Sequence, residues 1–395
     1  MKKLIVEPLE ESAISTVIVI DALDECKDEK PDSAILSVLG QFVSQIPKVK
    51  FFLTGRPEPR IREGFRLYLP ADTTDVFVLH NVEPNLVSND IQLFFKQSFL
   101  EIANRRSGLD GWPTGEQLDR LCKRAAGLFV YAVATVKFVD RKGGNPKRQL
   151  DRLLRSPGSS CEGKIKFKAG TTLDSLYTSI LQEAFDGKDA EDDCMARSVL
   201  GAVILATNPL SPSAIATLLG FDIDDVLPLL LSVGSLLLQV DIDSPVRPFH
   251  KSFPDFITNP TRCINERFHV SPPIHHPELL VGCLNLMNQK LEKKNMCELP
   301  DTVKNSEVGD LDKKIERLDL ALRYACKSWH RHLVDENVAR TPAVTSALRP
   351  FLEKKLLFWL EVLSVLGAVR EAIDALEVAA RWLEVRRVST LGVLL

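Results

Sequence analysis

The stretch Thr16 to Cys26, TVIVIDALDEC, constrains the fold more than any other part of the chain. A β-branched apolar run ends abruptly in the acids Asp21, Asp24 and Glu25. Such a run reads as a strand buried on both faces of a parallel sheet, and ligands of such sheets gather at the carboxyl ends of the strands. Asp21 stands at that end. A carboxylate there can hold Mg2+ through water against the phosphates of a nucleotide, while a following acid, Asp24 or Glu25, can orient or deprotonate an attacking water. An acidic exposed turn after a buried strand would produce the same letters without the chemistry.

A second segment, KFFLTGRPEPRI (Lys50 to Ile61), repeats the arrangement with complementary charge: an apolar strand ends in Thr54, Gly55 and Arg56. A guanidinium at the end of a neighbouring parallel strand could reach a terminal phosphate, whose oxygens its fork matches. Between the two, Ile35, Leu36, Leu39, Phe42, Val43 and Ile46 have helical spacing over Ser33 to Ile46. Strand, acidic turn, helix, strand, arginine is a βαβ unit with a right-handed crossover.

These segments resemble the Walker B and sensor 1 segments of NACHT-type signal-transduction NTPases, particularly the fungal NACHT proteins that often carry WD repeats. A third match, PFHKSFPDFI (Pro248 to Ile257), looks like the family's winged-helix segment. The resemblance implies that His250 approaches nucleotide phosphates in an inactive, closed form. Read on its own residues, His250 is equally a histidine satisfied at a strand edge. The resemblance further implies ATP or GTP with Mg2+ as cofactor, Asp21 at the metal, Asp24 and Glu25 as catalytic acids, and Arg56 and His250 at phosphate.

The family places a P-loop, G-x-x-x-x-G-K-[ST], upstream of Walker B, because its backbone N–H groups and Lys cradle the phosphates. The residues before Asp21 contain no Gly, and Lys3 to Leu9 reads as the end of a helix entering the strand. The near match Gly158 to Ile165 fails. Ile165 offers no hydroxyl, the preceding Arg148 to Leu154 reads as helix, and the order relative to Walker B is wrong. The expectation is a chain truncated upstream of the P-loop, with a parallel sheet of about three strands and without NTPase activity of its own.

The 395 residues suffice for two to four compact units. With 50 basic against 53 acidic residues, a net charge of −3 supplies no footprint for nucleic acid. The eight cysteines contain no C-x-x-C pair, and Cys326, His330 and His332 lack a second Cys at zinc-ligand spacing. Glu7, Pro8, Glu10 and Glu11 end the N-terminal apolar run after three residues, so no signal peptide is expected. Val226 to Val240 contains Pro228 and Gly234 and falls short of the ~20 residues that span a bilayer. The expected location is cytoplasmic.

Downstream, Asp75 to Leu79 offers a third strand. Helices follow: one presents Ile91, Leu93, Phe94, Phe95, Phe99 and Ile102, another covers Gln117 to Ala126 and ends at Gly127, and Leu173 to Phe185 pairs with Cys194 to Ala206. Ser211 reads as an N-cap with Pro212 in the first turn, opening Ala214 to Leu219. Asp222 to Leu231, then strands Leu236 to Val240 and Val246 to His250, complete a winged-helix pattern. Asp224 and Asp225 at the start of its second helix oppose DNA binding. Leu279 to Leu291, Ile315 to Val334 and Leu352 to Val385 are the strongest later helices.

The expected fold class is therefore α/β followed by all-α: a partial parallel P-loop NTPase sheet (1–82), a helical lid (83–142), a linker and helical pair (143–206), a winged helix (207–262) and C-terminal helices (263–395). Two functions remain open. One is a nucleotide-dependent signalling switch, or its remnant, acting through self-association or other signalling proteins. The other is a non-catalytic helical scaffold. An unrelated Mg2+-dependent hydrolase using Asp21 and Asp24 lacks a further acid cluster.

Overall fold

The computed structural model describes residues 7–10, 15–25, 31–46, 48–69, 74–79, 83–141, 143–155, 169–299, 305–333 and 341–391. It divides into two compact units, residues 1–83 and 84–395.

In the first unit a single helical turn, α1 (Glu7–Glu10), precedes β1 (Thr16–Ile20). This strand lies parallel to β2 (Val49–Leu53), with Thr16 opposite Val49 and Ile20 opposite Leu53. The crossover is α2 (Pro31–Phe42) with a 3-10 turn, Val43–Gln45, and α3 (Pro59–Tyr68) follows β2. Leu36 of α2 and Ile61 of α3 are buried with Leu23 against Ile20, Ile35, Leu53 and Phe65. Ile46 and Val49 close a second small cluster on Ile18, Phe42 and Phe51. At Gly40 the carbonyl of Tyr68 occupies the place a Cβ would take, so only glycine lets these backbones meet there.

Two expectations fail in this unit. The β1 strand is not buried on both faces: Val17 and Val19 are each 62% exposed and Phe52 of β2 is 59% exposed. Side chains alternate across a pleated strand. Because α2 and α3 pack on the same face, the alternate residues have no cover among the described residues. The expected strand Asp75 to Leu79 forms no ladder, and Val76, Phe77 and Leu79 are 75%, 79% and 75% exposed. A strand needs a neighbour for its backbone and a surface for its side chains. This segment has neither among the described residues, and the sheet there has two strands rather than about three.

The second unit is helical and built on one continuous core. It opens with α4 (Pro84–Arg105), α5 (Gly115–Ala125), α6 (Phe129–Val139) and α7 (Pro146–Arg155). Ile91, Phe95, Phe99 and Ile102 form the buried stripe of α4, whereas Leu93 is 67% exposed. Thr114 and Gln117 cap α5 reciprocally, which satisfies two otherwise orphaned amides. The helix ends with Ala126 and Gly127 both in the left-handed region. Gly158 to Ile165 lies outside the described residues.

Next come α8 (Ala169–Ala184) and α9 (Ala190–Leu205), the latter capped by Asp189. Then α10 (Pro212–Leu219) and α11 (Ile223–Ser232) lead into an antiparallel pair, β3 (Leu237–Leu238) and β4 (Arg247–Pro248), and α12 (Ser252–Ile257). Ser211 caps α10 through the amide of Ala214, as its sequence predicts. The order helix, helix, strand, strand is present, although each strand is only two residues long. Arg262 grips Asp174 and Arg267 grips Asp193, each through two nitrogens, and these pairs tie the segment after α12 to α8 and α9.

The remainder is α13 (Pro272–Lys290), α14 (Leu311–Glu316), α15 (Leu320–Ser328), α16 (Pro342–Pro350), α17 (Leu356–Val365) and α18 (Val369–Leu391). The long helices expected over Ile315 to Val334 and Leu352 to Val385 are each broken. Asp319 accepts from the amide of Ala321 at 2.9 Å and starts α15 afresh. Gly367, at φ 65°, stops α17. Trp329, Phe351 and Trp359 meet edge to face at the centre of this region.

Three polar side chains are embedded in that core. The Thr207 amide donates to the Tyr324 hydroxyl at 3.2 Å, and this hydroxyl pairs with His332 Nε2 at 2.7 Å. His332 Nδ1 in turn pairs with His276 Nδ1, 2.9 Å away. Burial pushes His332 down to about 3, with His276 and His330 adding to the effect. Burial, reinforced by Arg331 and opposed by Asp374 and Glu371, pushes His330 down to about 4. An unfolded histidine takes up its proton near pH 6.5, so below that pH the unfolded chain binds more protons than the folded one. Stability therefore falls as pH drops from about 6.5 towards about 4, by at most about 1.4 kcal/mol per pH unit for each histidine. Urea midpoints measured from pH 7.5 to 5 should decline, with a shallower slope in His332→Asn; a midpoint flat across this range would refute the neutral, buried state.

Candidate functional site

Thr54 fastens the start of the turn after β1 to the end of β2. Thr54 donates its amide to the carbonyl of Ile20 at 3.0 Å and accepts the Leu23 amide on its own carbonyl at 2.9 Å. Its hydroxyl accepts the Ala22 amide at 2.9 Å and donates to Asp21 Oδ1. The turn this enforces places Ala22 at φ 53°, a left-handed conformation costly for a residue with a Cβ. Asp21 and Arg56 consequently stand at the same end of the two-stranded sheet.

Asp24 plays a different part. It is 5% exposed, its Oδ1 accepts the backbone amide of Arg56 at 2.9 Å, and its Oδ2 lies 3.6 Å from the Arg56 guanidinium. Arg60 adds a bond to the Asp24 carbonyl at 3.2 Å while pairing with Glu58 at 3.1 Å. The carboxylate thus positions Arg56 through both backbone and side chain. Glu25 ends the 3-10 turn Leu23–Glu25, and its side chain lies outside the described residues. Asp21 is exposed.

His250 belongs to the second unit. It follows β4, is exposed, and its Nδ1 accepts the Ser252 amide at 3.2 Å. A backbone N–H only donates, so Nδ1 carries the lone pair and the neutral ring bears its proton on Nε2. Ser252 Oγ lies 2.6 Å from the same nitrogen and 2.7 Å from the Tyr177 hydroxyl. Tyr177 donates to Ser252, which donates to His250. Burial, partly offset by the Ser252 bond, pushes the Tyr177 hydroxyl up to about 12, so it remains a donor at neutral pH.

The structure therefore sets two neighbouring hydrogen-bonded groups at one end of the first unit's sheet, Asp21 with Thr54 and Asp24 with Arg56, and provides His250 with its own relay in the second. The motifs did not reveal Thr54 as the hub, although a β-branched hydroxyl residue at a strand end was visible. Nothing in the sequence marked Tyr177, an aromatic residue on the buried face of α8.

Comparison with known proteins adds to this geometry. A family model described as Nephrocystin 3, N-terminal, matches residues 1–56, a span that takes in β1, β2 and Arg56. The chain is also similar to the vegetative incompatibility protein HET-E-1 of Podospora anserina, at 24% identity over 385 residues and 91% of this chain. It spans 26% of the length of that curated relative. No solved structure matches. The two matches support membership of the NACHT family, the family that the strand-end motifs resemble.

Removal of Asp24 takes away the carboxylate that the Arg56 amide and guanidinium share. Asp24→Ala should destabilise the first unit by about 1–3 kcal/mol, whereas Asp21→Ala, at an exposed position, should change stability by less than about 0.5 kcal/mol. Hydrogen exchange of the β1 and β2 amides in the full chain measures both effects. Equal protection in the two variants would show that Asp24 does not hold the turn.

Proposed function

We propose that this chain is part of a NACHT-family signalling protein in which the carboxyl end of the β1–β2 sheet forms one wall of a nucleotide site. The observation that carries the reading is the delivery of Asp21 and Arg56 to one sheet end by adjacent parallel strands, linked through Thr54 and Asp24. When bound, Mg2+ with ATP or GTP would supply the charge that organises the phosphates.

Asp21 fits a water-mediated contact to such a cation: it is exposed at the strand end, with Thr54 holding one of its oxygens. Magnesium needs only one or two protein carboxylates beside water and phosphate. This agrees with the finding that no group of three or more metal-ligating side chains converges among the described residues. Arg56, pre-set by Asp24, would face the terminal phosphate. His250, with its proton on Nε2, would donate to phosphate in a closed form. The sequence contains no G-x-x-x-x-G-K-[ST] motif, so in this reading the residues present position and orient but do not account for hydrolysis. Its output would be self-association or engagement of signalling partners; the incompatibility role in the name of the Podospora relative fits that output.

A second reading, a helical scaffold, is favoured by a specific observation: Asp24 and Arg56 satisfy one another, and Asp21 is engaged by Thr54. Supplying a family-type P-loop strand and helix ahead of residue 1 separates the two. The chain as it stands should lack appreciable ATP or GTP hydrolysis, and the graft should bind nucleotide in a Mg2+-dependent manner. Asp21→Ala, Arg56→Ala and His250→Ala should each weaken that binding about tenfold, one charge-assisted contact apiece. His250→Ala should act selectively on the diphosphate-bound form. A folded graft that binds nothing, or binds equally well in all three variants, would favour the scaffold.

A further inference from the structure

We propose that a cleft in the second unit, between the start of α10 and the α14–α15 segment, binds a small organic anion, its charged group seated on Arg323 and Lys327 and its apolar body against Leu210, Ala214, Ile315 and Leu366. The cleft encloses about 340 Å3, and its rim also carries Asn208 and Ser211. That volume lies within the range of small-molecule sites, which combine apolar walls with a few convergent polar groups.

Charge carries the assignment. Arg323 and Lys327 are four residues apart on α15, so they stand on one helical face. None of the lining residues is acidic. Arg323 Nε is buried and has no acceptor among the described residues. Other partly buried arginines of this unit do not share that state: Arg106 binds the carbonyls of Asp140, Arg141 and Gly144, and Arg262 holds the Asp174 carboxylate. A guanidinium beside an ammonium, with no acid among the lining residues to neutralise them, attracts an oxyanion strongly. The Tyr324 hydroxyl on the same wall is already committed to Thr207 and His332, so recognition falls to the two cations. Phosphate esters and carboxylates share the required chemistry.

Thermal unfolding and calorimetric titration of the full chain, with sodium phosphate and with sodium acetate at matched ionic strength, test the assignment. A saturable rise in Tm is expected. It should disappear in Arg323→Gln, and the affinity should fall about tenfold in Lys327→Gln, the loss of one charged contact. Arg349→Gln, whose side chain is 72% exposed on α16, should keep the response. A response confined to phosphate identifies a phosphate ester as the ligand class; one confined to acetate identifies a carboxylate. If Arg323→Gln does not fold, Lys327→Gln decides, because Lys327 has no side-chain hydrogen bond or ion pair among the described residues. No saturable response to either anion, or a response preserved in Lys327→Gln, would overturn the proposal.

Discussion

Two parallel strands cannot complete a sheet. Among the described residues each has a strand on one side only, and the ladder between them does not by itself support the turns at their carboxyl ends. Side chains take over that work in the first unit. Thr54 supplies four hydrogen bonds from one residue, two through its backbone and two through its hydroxyl. Asp24 then fixes the start of the following loop through Arg56. The chemistry available at the sheet end depends on this fastening, since Asp21 and Arg56 have defined positions only while the two turns remain locked.

The second unit solves a similar problem by different means. Its helices are short and capped individually by Thr114, Asp189, Ser211, Asp222, Asp319 and Thr341, which limits the length over which any one can slide. Carboxylate–guanidinium pairs then join segments distant in sequence, Asp174 to Arg262 and Asp193 to Arg267. At Gly282 the carbonyl of Leu218 takes the place of a Cβ, so α10 lies directly on α13. Partly buried pairs of this kind contribute register more reliably than net stability.

Local order was legible in the sequence where one interaction dominates. The apolar spacing of Ile35, Leu36, Leu39 and Phe42 gave a helix, and the letters at Ser211 and Pro212 gave a cap. The alternation of exposed Val17 and Val19 with half-buried Ile18 and Ile20 could not be read, because a β-branched run looks the same whether one face or two are covered. Asp75 to Leu79 misled for a related reason: strand propensity describes a residue's fit to a pleated surface, and that surface must come from elsewhere. The breaks at Asp319 and Gly367 were present as letters but were overridden by a continuous apolar period. The link from Tyr177 through Ser252 to His250 joins residues far apart in the chain and leaves no local trace.

The open row of Val17, Val19 and Phe52 has a consequence beyond this fold. A flat, apolar β surface beside an unsaturated edge is the feature that general chaperones hold and that proteases sample. Wherever that face stays uncovered, the steady-state amount of the protein will follow the capacity of the cell's folding machinery, and a partner that covers it will act as a stabiliser before it acts as a signal.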